Sequence, residues 1–243
     1  MIESTYLSEL AGRAAAVLRD ALVGVYAGGS WALGDYQPGR SDLDVAIVCA
    51  GPLDDATIGE LATRLRHESL PCPARGLELV VYTRALAGAG KAEAGFELNL
   101  NTGERMDYRE ERHGGTAEAH WYAIDRAILA ENGVALAGPS AGDVFRGPPR
   151  PVALELLGES LRWHEGGDAE PENAVLNAAR SIIYAREGRW VSKPVAAHRL
   201  IENGESAELM EAALAVREGG SVTLDPAAVR DFVRHAAQVV ATG

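Results

Sequence analysis

Residues 28–48 read GGSWALGDYQPGRSDLDVAIV, and this stretch constrains the chain more than any other. An apolar run from Leu22 to Tyr26 leads into a Gly28-Gly29-Ser30 turn. A loop containing Gly and Pro follows, and Ser41-Asp42-Leu43-Asp44 opens a second apolar run that continues to Val48. Both runs have the length and composition of strands. Strand side chains alternate between faces, so Asp42 and Asp44 share one. Two carboxylates held side by side repel each other unless a cation lies between them, which suits a divalent metal. Glycine at positions 28 and 29 lets a phosphate approach backbone N–H groups, and the Ser30 and Ser41 hydroxyls are further donors. Singly, Gly-Gly-Ser reads as an ordinary turn and Asp-x-Asp as a solvated strand edge. Joined at the mouth of a buried strand, they read as a metal–nucleotide site.

A third acid completes that site. Gly76-Leu77-Glu78-Leu79-Val80-Val81-Tyr82 is apolar and β-branched, with Glu78 the one charge inside it. A lone carboxylate in a buried strand is unfavourable without a partner or a task. Glu78 therefore either pairs with Arg75 or Arg84, or joins Asp42 and Asp44 at the metal.

Gly-Ser, then Asp-x-Asp about a dozen residues on, then an acid on a following strand, resembles the nucleotidyltransferase fold shared with DNA polymerase β. The resemblance extends over most of the chain to the aminoglycoside adenylyltransferases that modify streptomycin and spectinomycin. It takes in Phe96-Glu97-Leu98, Asp125-Arg126-Ala127-Ile128-Leu129, Val134-Ala135-Leu136-Ala137-Gly138-Pro139, Leu161-Arg162-Trp163, Asn173-Ala174-Val175-Leu176 and Ser192-Lys193. It implies transfer of AMP from ATP to a hydroxyl of an aminoglycoside or aminocyclitol, with pyrophosphate leaving. Asp42 and Asp44 would hold Mg²⁺, with Glu78 the third acid of the metal site and the general base. The resemblance also makes Lys193 and Arg180 triphosphate contacts, beside Gly29, Ser30 and Ser41. On the acceptor side it implies Trp163 as a drug platform and Asp168 as an acid for a cationic group. Glu170 aligns with another acidic drug-binding position after a two-residue gap. Two departures stand out. Gly103 falls where the streptomycin enzymes carry a stacking tryptophan, and Val216 lies near the place of a tyrosine at the adenine. Trp121 or Tyr122 is a candidate replacement for the stacking group.

Composition narrows the partners. The 243 residues include 23 basic and 35 acidic side chains, a net charge of −12, which argues against nucleic acid and suits a cationic acceptor. Cys49 and Cys72 lack metal-ligand spacing and fit a reducing cytoplasm. The chain opens without a charged-then-apolar leader and holds no apolar run long enough to span a bilayer. The family pattern implies a monomer.

Periodicity predicts helices over 3–19, 55–68 and 117–131, and strands over 22–26, 43–49, 76–82 and 96–100. Gly147-Pro148-Pro149-Arg150-Pro151 then breaks the chain. Beyond it the pattern is helical over 152–165, 172–186, 194–203, 205–218 and 226–241. The expected architecture is an α/β (α+β) nucleotidyltransferase domain with a mixed sheet over 1–147, followed by an all-α bundle over 148–243, with the site in the cleft between them. Two other readings share the motif: AMP transfer to a non-antibiotic acceptor, and a catalytically silent nucleotide-binding module.

Overall fold

Apolar–polar alternation in the strands decides which way each side chain faces, and the sheet follows from it. The computed structural model describes residues 2–93, 95–114, 119–167 and 170–243. The chain divides after Pro148 into two compact units. In the first, α1 (Ile2–Leu18) and a single 3-10 turn precede β1 (Leu22–Ala27), and α2 (Gly29–Ala32) caps the Gly-Ser turn. Then come β2 (Leu43–Cys49), α3 (Asp55–Leu65), β3 (Leu77–Thr83), α4 (Arg84–Ala87), β4 (Leu98–Gly103) and β5 (Met106–Arg112). The unit ends with α5 (Ala119–Asn132), β6 (Val134–Ala137) and α6 (Ala141–Val144).

The strands form one six-stranded sheet in the order β5-β4-β3-β2-β1-β6. β2 and β3 run parallel, while β1–β2, β1–β6, β3–β4 and β4–β5 are antiparallel. The sheet is mixed, as the resemblance to the nucleotidyltransferase fold implies, and α3 supplies the crossover that a parallel pair needs. One face carries Val25, Leu43, Val45, Ile47, Leu77, Leu79, Val81, Leu98 and Leu100 into a core with Tyr6, Leu7, Leu10, Ile58, Leu61 and Leu65 of α1 and α3. The opposite face carries Tyr26, Ala46, Val48 and Tyr82 against Leu129, Ala141 and Phe145. Asp42 and Asp44 alternate with buried Leu43 and Val45, and Glu78 lies between buried Leu77 and Leu79, so all three acids turn to this second face.

The second unit is all helical: α7 (Arg150–Glu165), α8 (Pro171–Glu187), α9 (Lys193–Glu202), α10 (Ala207–Arg217) and α11 (Pro226–Thr242). The most enclosed is α8, which buries Val175, Leu176, Ala179, Ile182 and Ile183. It starts on Pro171, stops at Gly188 in the left-handed region (φ 69°), and packs against α7, α9, α10 and α11. Ser192 caps α9 by accepting from the Val195 N–H at 3.3 Å. Among the described residues no helix is long and apolar enough to cross a membrane.

The long elements lie where periodicity puts them, with ends shifted by a few residues. β5 escapes a sequence reading: Met106-Asp107-Tyr108-Arg109-Glu110-Glu111-Arg112 is mostly charged and forms the exposed edge of the sheet. Charge on an edge strand deters pairing with another chain, and it erases the hydrophobic alternation that would reveal the strand.

Candidate active site

Strand register brings the acids together. Asp44 and Glu78 are directly paired positions on parallel β2 and β3, and Glu78 pairs in turn with Asn101 on β4. Asn101 pairs with Arg109 on β5. One row across the sheet therefore reads Asp44, Glu78, Asn101, Arg109, all on the face away from α1 and α3. Asp42 stands two residues before Asp44, at the threshold of β2.

The Gly-Ser turn closes on this row. The Gly28 N–H donates to the Asp44 carbonyl at 2.8 Å. Gly29 has φ +50°, and a methyl group at its α-carbon would overlap the Asp44 carboxylate. Only glycine accepts that backbone conformation while leaving the carboxylate room. The Ser30 hydroxyl is buried without a hydrogen-bond partner among the described residues. A buried orphan hydroxyl beside two glycines is the feature expected where a phosphate oxygen docks. Ser41 is buried too, and its hydroxyl oxygen accepts from the Gln37 N–H at 3.1 Å, so it also braces the loop ahead of Asp42.

That loop is tied at two further points. Tyr36 packs edge-on against Trp31, with ring centroids 5.2 Å apart, and its hydroxyl donates to Glu3 of α1 at 3.5 Å. Burial, reinforced by the Glu3 charge, pushes the Tyr36 phenol up to about 12, which keeps it a donor. The Arg105 guanidinium at the tip of the β4–β5 hairpin donates to the Gly39 carbonyl at 2.6 Å.

Among the described residues no group of three or more His, Cys, Asp or Glu side chains stands close enough to hold a metal unaided, and Asp42, Asp44 and Glu78 are no exception. That donor set still fits Mg²⁺, which is bound through one or two carboxylates plus substrate phosphates and water.

An open cavity of about 460 Å³ adjoins Glu78. Its walls include Asn101, Arg75 and Arg109, the last held by Glu111 at 2.9 Å. Gly103 cannot present a platform here. A Cβ on it would lie 2.5 Å from the Gly76 α-carbon and 2.8 Å from the Arg75 carbonyl oxygen, so the hairpin is shut against the entry to β3 by backbone contact. Tyr122 is committed elsewhere: its ring packs on Phe96 (4.9 Å between centroids), and its hydroxyl accepts from Asn99 at 3.1 Å. Trp121 packs on His120, with centroids 4.8 Å apart.

In the helical unit, the Lys193 ammonium donates to Asn173 Oδ1 at 3.0 Å, and the Asn173 amide donates to Glu170 at 3.1 Å. Arg180 donates to Asn177 at 3.0 Å. Asn173, Asn177 and Arg180 follow i, i+4, i+7 spacing, so they line one side of α8, which gathers both expected cations there. Nothing in the sequence but their helical spacing marks the two asparagines as partners of these cations. Trp163 is half-buried near the end of α7, edge-on to His164 at 5.0 Å. Asp168 lies outside the described residues.

Three curated relatives, each an aminoglycoside (3'') (9) adenylyltransferase, come from Klebsiella pneumoniae, Shigella flexneri and Escherichia coli. Each is 30% identical over 210 residues, covering 82% of this chain and 78% of the relative. The chain belongs to the aminoglycoside adenylyltransferase family. Residues 153–239 match the aminoglycoside adenylyltransferase C-terminal domain. The spectinomycin adenyltransferase AAD(9) of Enterococcus faecialis, solved with ATP and spectinomycin, shares the fold at a TM-score of 0.72. That likeness covers 98% of both chains at 14% identity. The protein is thus an adenylyltransferase with a mixed-sheet unit and a helical unit, and its row of carboxylates lies on the sheet.

Proposed function

We propose that this adenylyltransferase moves AMP from ATP to a hydroxyl of a small cationic aminoglycoside or aminocyclitol, in a Mg²⁺-dependent reaction. The observation that carries the reading is the pairing of Asp44 with Glu78 on adjacent parallel strands, with the Asp44 carboxylate seated against Gly29. Family membership supports the reaction class, and the net charge of −12 suits a cationic acceptor.

The chemistry is an in-line displacement. The acceptor oxygen forms a bond to the α-phosphorus as the α–β bridging bond breaks, and pyrophosphate leaves with the bonding electrons. Glu78 takes the acceptor's proton, for which reach matters more than basicity. Asp42 and Asp44 hold Mg²⁺, which when bound offsets charge on the phosphate oxygens. Ser30, Ser41 and the Gly29 backbone N–H bind phosphate oxygens, and Lys193 and Arg180 neutralise the triphosphate. Trp163, Asp168 and Glu170 serve the acceptor. The sheet unit carries the transfer chemistry in this reading, and the helical unit supplies cations and acceptor contacts.

The test is pyrophosphate release with MgATP and a panel of aminoglycosides and aminocyclitols, with mass spectrometry on each acceptor. The expected result is one acceptor heavier by AMP, with turnover abolished in Glu78→Gln while MgATP binding persists. Full activity in Glu78→Gln would remove the base from the mechanism. A second reading, AMP transfer to another hydroxyl acceptor, draws on the backbone closure at Gly103, which removes one aromatic platform. A panel in which no antibiotic reacts and a cellular polyol does would favour it.

A further inference from the structure

The acceptor's immediate surroundings are set by what stands next to Glu78, and in this chain that neighbour is an amide. Glu78 and Asn101 are directly paired across antiparallel β3 and β4, on the same face of the sheet. Such pairs hold their Cβ atoms about 4.5–5.5 Å apart, within reach of adjacent atoms of one small ring. Both residues line the open cavity of about 460 Å³. The wall beyond them is fixed, because Gly103 is pressed on Arg75 and Gly76 and Arg105 is bonded to the Gly39 carbonyl.

The charges around that cavity cancel. Arg75, Arg105 and Arg109 stand against Glu78, Glu104 and Asp107, although the chain as a whole is strongly acidic. A neutral, hydrogen-bonding wall does not draw a cation; it discriminates by matching donors and acceptors. Cation capture then falls to other parts of the protein.

From this juxtaposition we infer that Asn101 is a specificity-determining residue. Its amide binds the oxygen vicinal to the hydroxyl that Glu78 deprotonates, so the preferred acceptor presents a vicinal diol to the sheet. This rests on the adenylyl-transfer reading above. An amide can donate to or accept from a hydroxyl, so it fits a diol in either orientation. A site that hydrogen-bonds a substrate hydroxyl rejects the analogue lacking it, because its own polar group is left unmatched.

The experiment measures kcat and KM for an accepted diol-bearing substrate and for its analogue deoxygenated at the vicinal position. It compares wild type, Asn101→Ala and Asn101→Ser, with calorimetric MgATP affinity as the measure of an intact fold. The expected result is a loss of about tenfold or more in kcat/KM for the diol in Asn101→Ala, largely through KM, and a smaller loss in Asn101→Ser. The deoxy analogue should lose nothing further on either substitution, and MgATP affinity should be unchanged. Equal losses for diol and deoxy analogue, no loss for either, or a parallel loss of MgATP affinity would each overturn the assignment and leave adenylyl transfer standing. Failure of the wild type to adenylate any acceptor would overturn the transfer reading and the assignment with it.

Discussion

Replacing Gly29 with alanine separates two things the turn does. The first is conformational: at φ +50° an L-residue is strained by about 1–2 kcal/mol. The second is steric: the new methyl overlaps the Asp44 carboxylate, and Asp44 Cβ would be only 3.1 Å away. Gly34, in the same loop, supplies the control. It has φ +75° with nothing within 4 Å of where a methyl would stand, so Gly34→Ala carries the strain without the collision. Both variants should melt a few degrees below wild type, since about 1 kcal/mol moves the midpoint by about 2–4 °C at this size. Only Gly29→Ala should lose transfer. Its carboxylate must rotate or shift, and a displacement of about 1 Å at a positioned catalytic group can cost about a hundredfold. Pyrophosphate release at saturating MgATP, set beside thermal melts of both variants, measures the two effects separately. Equal activities in Gly29→Ala and Gly34→Ala would refute the idea that this glycine exists to seat Asp44.

Two other outcomes follow from the helical unit. Glu205 is held below the usual carboxylate range by a two-pronged hydrogen bond from Arg186 (2.7 and 2.8 Å), so it binds protons less readily folded than unfolded. Its contribution is therefore complete above the unfolded value near 4.3 and disappears as pH falls through the lower folded value. With both side chains about a third exposed, Glu205→Gln should lose about 0.5–1 kcal/mol at pH 7. As pH falls below the usual carboxylate range, the gap between variant and wild type should close in chemical denaturation; a gap that does not narrow would rule out the linkage. Asn173→Ala frees the Lys193 ammonium from its 3.0 Å bond, and loss of about 1 kcal/mol of orientation should weaken MgATP binding about fivefold. Calorimetry that finds Lys193→Ala weakened and Asn173→Ala unchanged would show that the amide does not orient the lysine.

The sequence is most legible where a side chain's face follows from period-two alternation within one strand. Asp42, Asp44 and Glu78 could be read this way because each is a polar break in an otherwise buried run. Asn101 could not, since Asn99-Leu100-Asn101-Thr102 is half polar, and its importance depends on pairing with a strand more than twenty residues away. Register between strands is a tertiary property, set by the packing of Leu77, Leu79, Leu98 and Leu100 into one core. Gly29 shows the same limit. A glycine after a strand reads as a turn, and only the structure shows that the Asp44 carboxylate occupies the space a side chain would need.

The row of acids and the hairpin beside it also differ in how much change the fold tolerates. Asp44 and Glu78 lie on β2 and β3 in the interior of the sheet, where a one-residue slip would carry the whole row of acids into the α1–α3 core and drive apolar residues out. The proposed transfer machinery is therefore locked to the hydrophobic core. The wall proposed for the acceptor includes the β4–β5 hairpin at the sheet edge, where Asp107, Tyr108 and Arg109 are exposed and β5 pairs with a single neighbour. Side chains there can change with little effect on packing. On the proposed reading, acceptor choice can thus be retuned at the edge of the hairpin while the paired acids of β2 and β3 stay fixed.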